Sequence, residues 1–337
     1  RGKVDPSGLD SREQLDAVRI EMHELVRSQY RCFREQVEPA LEAAGFEIVD
    51  PKDWREQERQ TLKFIFRDRI EPTLTPQAVD PTRPFPLVSN LGLSIGVLLR
   101  PHDRLFQGSE DLRPDDSYAE RVDGDAGRGT PFYKALVAVP QESRLIQLGE
   151  DGGRYALLED VVEANLGVLF PGYEVVDAIQ FRVTRDGSLD LDEDHATDLL
   201  SELAEELRNR GRGRPVRIET RHGRSEALRA WLLERLALAS SDAFDVDGPL
   251  DLTLLFALPK SLRRTELVDP PLEPLPPPFE WDEPFSTMRA GNALLHHPYQ
   301  SFAPVVKLVQ DAARDERVLA IKQTLYRVSG DSPIVKA

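Results

Sequence analysis

Between residues 268 and 284 seven of seventeen positions are proline: Pro270, Pro271, Pro274, Pro276, Pro277, Pro278 and Pro284. Proline lacks the amide proton and fixes φ, so such a stretch can be neither a helix interior nor a central strand. It reads as a semi-rigid, extended connector and as the clearest domain boundary in the sequence. A chain of 337 residues is therefore expected to fold as separate units on either side of it, with length for about two or three domains.

Upstream, residues 10–43 predict one long amphipathic helix. Leu15, Val18, Met22, Leu25, Tyr30, Phe33, Val37 and Leu41 recur near the helical period, Ser11 to Gln14 fits a capping box with Leu9 as staple, and Gly45 ends the run. A second helix is expected from about Trp54 to Ile70, stopped by Pro72 and Pro76. From Leu87 the period changes to two. Leu91, Leu93, Ile95, Val97 and Leu99 alternate with smaller or polar residues, the pattern of a half-buried strand. Residues 107–130, acidic and glycine-rich, predict an exposed loop. Strands are expected at Phe132–Val139, Leu145–Leu148, Ile179–Val183 and Val216–Thr220, and helices at about Glu159–Phe170, His195–Asn209 and Ser225–Leu238, closing in a βαβα stretch. Beyond the prolines a helix from near Pro304 to Ala313 precedes a buried strand at Val318–Tyr326. The fold class is α/β, of mixed α+β character.

Composition narrows the function. With 43 Lys and Arg against 59 Asp and Glu the formal charge is −16, so the surface as a whole repels nucleic acid and anionic membranes, and a phosphate-rich ligand needs a local basic site. The acidic excess lies wholly within residues 1–273, because residues 274–337 hold seven basic and seven acidic side chains. The single cysteine, Cys32, excludes an internal disulfide or a Cys-based zinc cluster. No apolar run approaches the roughly 18–20 residues of a membrane span, and a reducing, cytoplasmic setting is expected. Glycine-rich phosphate loops, dinucleotide fingerprints and His-Glu-x-x-His are absent. Gly211-Arg212-Gly213-Arg214 looks like a basic clip, but Gly and Arg at a helix C-terminus explain it better.

Two sets of residues can carry chemistry. His296-His297, before Pro298-Tyr299-Gln300-Ser301-Phe302, can donate to phosphate or bind a metal, or belong to an ordered turn before a helix. In Leu319-Ala320-Ile321-Lys322-Gln323-Thr324-Leu325-Tyr326-Arg327, Arg327 stands at the carboxyl end of the expected strand, where α/β sheets bind ligands and where a guanidinium fork suits phosphate oxygens.

These residues carry a resemblance. His-Pro-Tyr-x-Ser-Phe at 297–302, followed by Ala-Ile-Lys-x-Thr-Leu-Tyr-Arg at 320–327, resembles polyphosphate kinase, the long bacterial form that works through a phosphohistidine. Phe85–Leu91, Tyr155–Val162 and Phe181–Asp186 are similar to segments of its middle, or head, domain. The resemblance implies the rest of a helical N-terminal domain at 1–52, the head domain at 53–272 and the start of a first phospholipase D-like catalytic domain at 273–337. The chain opens on Arg1 and closes at Ala337 within an ordered-looking segment, so it is expected to be a fragment whose phosphate-accepting histidine lies downstream and is neither His296 nor His297.

The same resemblance implies reversible transfer of the terminal phosphate of ATP to polyphosphate, with ATP, ADP and polyphosphate as partners and Mg2+ as cofactor. It also implies a homodimer or higher oligomer formed through the head domain, and no nucleic acid. A position at the membrane periphery of the intact enzyme is allowed without any membrane segment. Arg327 matches the family's active-site arginine, to which a magnesium role is assigned. Guanidinium has no lone pair to give, so contact with phosphate or metal-bound phosphate is the sensible form of that role. Lys322, five residues earlier and on the opposite strand face, ranks second as a substrate-binding residue. The alternative is a non-catalytic dimerisation or assembly module. A phospholipase D-type hydrolase is weaker still, since no His-x-Lys motif is present.

Overall fold

A computed structural model describes residues 6, 8–79, 84–102, 132–141, 143–149, 152–186, 213–223, 225–258, 268–324 and 332–337. The chain divides into two compact units, Arg1–Leu262 and Arg263–Ala337. The loop expected at 107–130 and the helix expected at 195–209 lie outside the described residues.

The first unit opens with the long helix: α1 (Ser11–Cys32) runs through one π-helical segment, Phe33–Val37, into α2 (Glu38–Ala43). Its cap sits one residue earlier than expected. Asp10 accepts from the Arg12 and Glu13 amides, and the Glu13 carboxylate accepts the Asp10 amide at 2.8 Å. A carboxylate there also meets the positive end of the helix dipole. The Gln14 side chain donates to the Leu9 carbonyl at 3.1 Å. The buried stripe is Val26, Tyr30 and Phe33, while Leu15, Val18 and Leu25 of the expected stripe are exposed. Gly45, at φ +84°, ends the helix, where the Phe46 amide returns to the Leu41 carbonyl.

The second helix, α3 (Glu56–Ile65), also passes into a π segment, Phe66–Ile70, so that Leu62, Phe66 and Ile70 line one buried row. Glu58 is buried at its start and accepts the Arg55 amide at 2.7 Å and the Arg154 Nε at 3.0 Å. Burial pushes the Glu58 carboxyl upward, but the Arg154 hydrogen bond and the Arg55 amide outweigh it and hold the group below the ordinary carboxylate value. A folded-state pKa lowered in this way stabilises above the unfolded value, and that contribution is lost as pH falls through the folded one. Glu58→Gln is thus expected to flatten the acid limb of a urea-denaturation profile across that window. An acid limb identical to wild type would refute the role of this ion pair.

The strands, in chain order, are β1 (Glu47–Ile48), β2 (Gln77–Val79), β3 (Leu93–Pro101), β4 (Tyr133–Ala138), β5 (Leu145–Gln147), β6 (Arg154–Leu157), β7 (Tyr173–Arg185), β8 (Pro215–Arg221) and β9 (Ala243–Val246). They form a six-stranded sheet of order β2-β4-β3-β7-β8-β9 and a three-stranded one of order β1-β6-β5. The helix expected at 159–170 breaks at Asn165 into α4 (Leu158–Ala164) and α5 (Leu166–Leu169), and the Asn165 side chain bonds the Val161 carbonyl at 2.8 Å. Ser225 caps α6 (Glu226–Leu236), which links β8 to β9 as the large sheet's one parallel pair among the described strands. β7 and β8 pair antiparallel, so only the last β-α-β step has the parallel geometry that alternation suggests.

β3 departs from its expected half-burial. Leu91 stands outside it in a turn at φ +59°, and from Leu93 to Val97 every residue is buried. Leu93, Ile95, Val97 and Leu99 join a core with Val26, Tyr30, Val161 and Val162. On the other face a Cβ at Gly96 would stand 3.1 Å from Ile179 and 3.7 Å from Trp231 of α6. A central strand covered by helices on both faces loses the alternation that marks a sheet with one wet face.

The second unit holds α7 (Pro284–Ala290), α8 (Ala303–Arg314) and α9 (Pro333–Lys336). The proline-rich stretch packs within this unit: Leu275 bridges to Gln300, and the Trp281 Nε1 donates to the Pro304 carbonyl at 2.5 Å. The buried strand expected at 318–326 is not formed over 318–324. Leu319 is 97% exposed and Ile321 is exposed. Strand conformation needs a neighbour for its amides and carbonyls, and none of the described strands pairs with this segment.

Candidate functional site

Of the candidate residues, Arg327 lies outside the described residues, and Lys322 is exposed on the segment that forms no strand. The structure does not bring Lys322 together with the histidine pair in any hydrogen bond, ion pair or ring contact. His296 and His297 occupy an ordered turn. The Gln300 side chain accepts the His296 amide at 2.8 Å, and His297 Nδ1 lies 2.9 Å from the Gln300 carbonyl. Bonding that carbonyl requires a proton on Nδ1. The rings pack edge-on, His296 against Tyr299 and His297 against Phe302, and Ser301 Oγ accepts the Ala303 amide at the start of α8. Of the two alternatives read from sequence, the ordered turn before a helix is present.

Among the described residues no three His, Cys, Asp or Glu side chains converge to hold a metal ion. Magnesium requires oxygen ligands in an octahedron. The described residues bring together no such set of protein oxygens. In the same unit Asp315 is held down at about 2 by the Arg317 side chain and amide.

The denser polar chemistry lies in the first unit. Arg144 clasps the buried Glu159 through Nε and Nη2, and donates to the Leu250 carbonyl at 2.6 Å and the Asp251 carbonyl at 2.8 Å. Arg182 lies 3.3 Å from Asp251 and 3.6 Å from Glu219, which also pairs with Arg217 at 2.6 Å. Next to them Asp160, 2% exposed, accepts from Arg221 at 2.5 Å and from the Gln180 amide at 2.8 Å. Tyr30 donates to the Pro249 carbonyl at 2.8 Å, and burial followed by the Glu219 charge pushes its phenol upward. These pairs neutralise one another.

A cleft of about 570 Å³ opens beside this network, between Leu91, Leu93, Val139 and Leu254 on its apolar side and Gln141, Ser143, Arg182 and Thr253 on its polar side. Leu91 and Asp251, two of the three described non-glycine residues at positive φ, stand on its walls. Sequence reading missed Arg144, Arg182, Arg185 and Arg221. Their one visible signal was arginine inside apolar alternation, as in Phe181-Arg182-Val183-Thr184-Arg185.

Three family models match the chain in succession: the polyphosphate kinase N-terminal domain over residues 1–49, the middle domain over 57–258 and C-terminal domain 1 over 283–337. A polyphosphate kinase of Bacillus cereus is 39% identical over 339 residues, covering 98% of this chain and 45% of its own length. One of Aphanizomenon baltica is 37% identical over 353 residues, covering 98% of this chain and 86% of its own length. The crystal structure of polyphosphate kinase from Porphyromonas gingivalis superposes with a TM-score of 0.66 at 23% identity, over 96% of this chain and 44% of that one. It supports the fold. The chain spans less than half the length of the Bacillus relative. With successive models matching from its first residue to its last, this chain belongs to the polyphosphate kinase family.

Proposed function

We propose that this chain is the N-terminal part of an ATP–polyphosphate phosphotransferase. Residues 1–52 would be the remainder of the helical domain, 53–272 the head domain and 273–337 the opening of the first catalytic domain. The observation that carries this reading is the match of residues 283–337 to C-terminal domain 1, which contains the Ala320–Arg327 motif. In the complete enzyme a histidine downstream of residue 337 takes the terminal phosphoryl of ATP and passes it to the end of a polyphosphate chain. Splitting the transfer in two replaces one difficult displacement by two in-line ones. Arg327 holds the transferring oxygens, where preplaced donors stabilise developing charge, and Lys322 adds a second cation. The chain works in the cytoplasm as a homodimer or larger homo-oligomer assembled through the head domain, with ATP, ADP and polyphosphate as ligands.

Arg327→Ala, made in the full-length protein that contains this sequence, is expected to lower ATP-dependent polyphosphate synthesis by about a hundredfold or more, the scale of losing a preplaced charge-stabilising donor. The oligomeric state should remain as in wild type. Synthesis within a few-fold of wild type would overturn the assignment. Loss of assembly together with activity would favour the scaffold role for this part of the chain.

A further inference from the structure

Arg185 is the one cation classed as buried among the described residues, 8% exposed. It closes the row Ile179, Phe181, Val183 on the β7 face that packs with Leu228, Trp231 and Leu232 of α6. Its Nε donates to the Val88 carbonyl at 2.8 Å and its Nη1 to the Gly213 carbonyl at 2.9 Å. Its own amide donates to Asn90 Oδ1 at 2.8 Å. The guanidinium is therefore fixed by two backbone carbonyls, and the backbone that carries it by the Asn90 side chain.

What it lacks is an anion. Arg144, Arg154, Arg182, Arg217, Arg221 and Arg229 in the same unit each lie within ion-pair distance of a carboxylate. Arg185 has no such partner among the described residues, and burial lowers its pKa from the usual arginine value. Buried charges are normally compensated, because the desolvation cost is large and carbonyl dipoles recover only part of it. The Nη2 group is not among the buried atoms without a partner, so it keeps access to solvent with its two protons unassigned. In sequence, residues 208–217 carry five arginines and no acid in a chain of formal charge −16, and the described end of that stretch, Gly213, is the residue whose carbonyl Arg185 holds.

We propose that Arg185, fixed between the Val88 and Gly213 carbonyls, is an anion-binding site that takes a phosphoryl oxygen on its free Nη2. A planar, pre-oriented guanidinium edge is the donor best matched to such an oxygen. The source is a polyphosphate chain or a nucleotide phosphate. Only this choice of sources rests on the function proposed above; the site itself rests on the uncompensated charge.

The test uses the 337-residue chain and does not measure catalysis, so that its outcome is separate from that of the Arg327 experiment. Linear inorganic polyphosphate, ATP and sodium chloride at matched ionic strength are compared by thermal denaturation and by hydrogen exchange. Polyphosphate or ATP, unlike chloride, should raise the melting midpoint and slow exchange of amides in residues 84–92 and 180–186. A response to polyphosphate alone assigns the site to the polymer; a response to ATP assigns it to the phosphate group the two share. Arg185→Gln should weaken the binding about tenfold, the scale of one charge-assisted hydrogen bond, with Arg185→Lys intermediate. If the variants do not fold, exchange protection in the wild-type chain decides. Unchanged affinity in a folded Arg185→Gln, a response matched by chloride, or protection confined to other segments would each overturn the site.

Discussion

Arg144→Ala is expected to destabilise the first unit by about 3–5 kcal/mol, the cost of leaving a buried carboxylate without its partner. Glu159 is 1% exposed and has Arg144 as its only ion-pair partner among the described residues. The same guanidinium holds the Leu250 and Asp251 carbonyls, and so fixes the corner where Asp251 sits at φ +59°. The variant therefore loses a charge pair and the constraint on a strained turn together. Glu159→Gln alone should cost less, since a neutral amide can still accept from Arg144. The double variant Arg144→Met/Glu159→Leu should recover much of the loss, because two apolar groups of similar volume leave no orphaned charge. Urea denaturation followed through the tryptophan signal measures all three. A loss below about 1 kcal/mol for Arg144→Ala, the range of solvent-exposed pairs, would show that the pair is hydrated.

Gly153→Ala should be the second severe change. Gly153 sits at φ +94°, and a Cβ there would stand 2.3 Å from the Gly45 carbonyl oxygen, inside any permitted contact. The obstacle is backbone, and the same two residues flank the seam where the Glu47 amide reaches the Gly153 carbonyl at 2.6 Å and β1 meets β6. Relief requires pulling the end of the long helix off the small sheet. The expected cost is at least about 2 kcal/mol, from strain at positive φ added to lost pairing. Hydrogen exchange should show faster opening of residues 46–49 and 154–157 than of β3 or β7. Gly149→Ala is the control: it has positive φ but nothing within 4 Å of its Cβ, so it reports the φ penalty alone. Equal effects of the two substitutions would remove the steric argument.

Local physics made much of the first unit legible. The long helix, the second helix ending near Ile70, the cores of β3, β4, β5, β7 and β8, and α6 with its Ser225 cap are all local patterns of period 3.6 or 2 and of capping chemistry. The short strands β1, β2, β6 and β9 were not legible, because runs this short rarely show a period, and β5 was the exception. They exist as strands through the neighbours they pair with. The segment 318–324 is the converse: it has strand-like alternation but no partner among the described strands, and its Leu319 and Ile321 face solvent.

The candidate site divides in the same way. The His-Pro-Tyr-x-Ser-Phe and Ala-Ile-Lys-x-Thr-Leu-Tyr-Arg motifs are strings of adjacent residues, so the sequence carries them whole, and with them the family. The carboxylate–arginine network joins Arg144 to Glu159 and Asp251, and Arg221 to Asp160, across up to 107 positions. Nothing local marks which arginine meets which acid. Sequence by itself determined most of the described helices and alternating strands of the first unit, the family and the location of the acidic excess, because each depends on neighbours in the chain. Only the tertiary structure decided which strands pair, that β3 is covered on both faces, and that Arg185, alone among the described buried side chains, carries a positive charge with no described carboxylate beside it. Burial and charge compensation are properties of what surrounds a residue in space, and the chain brings those surroundings from distant positions.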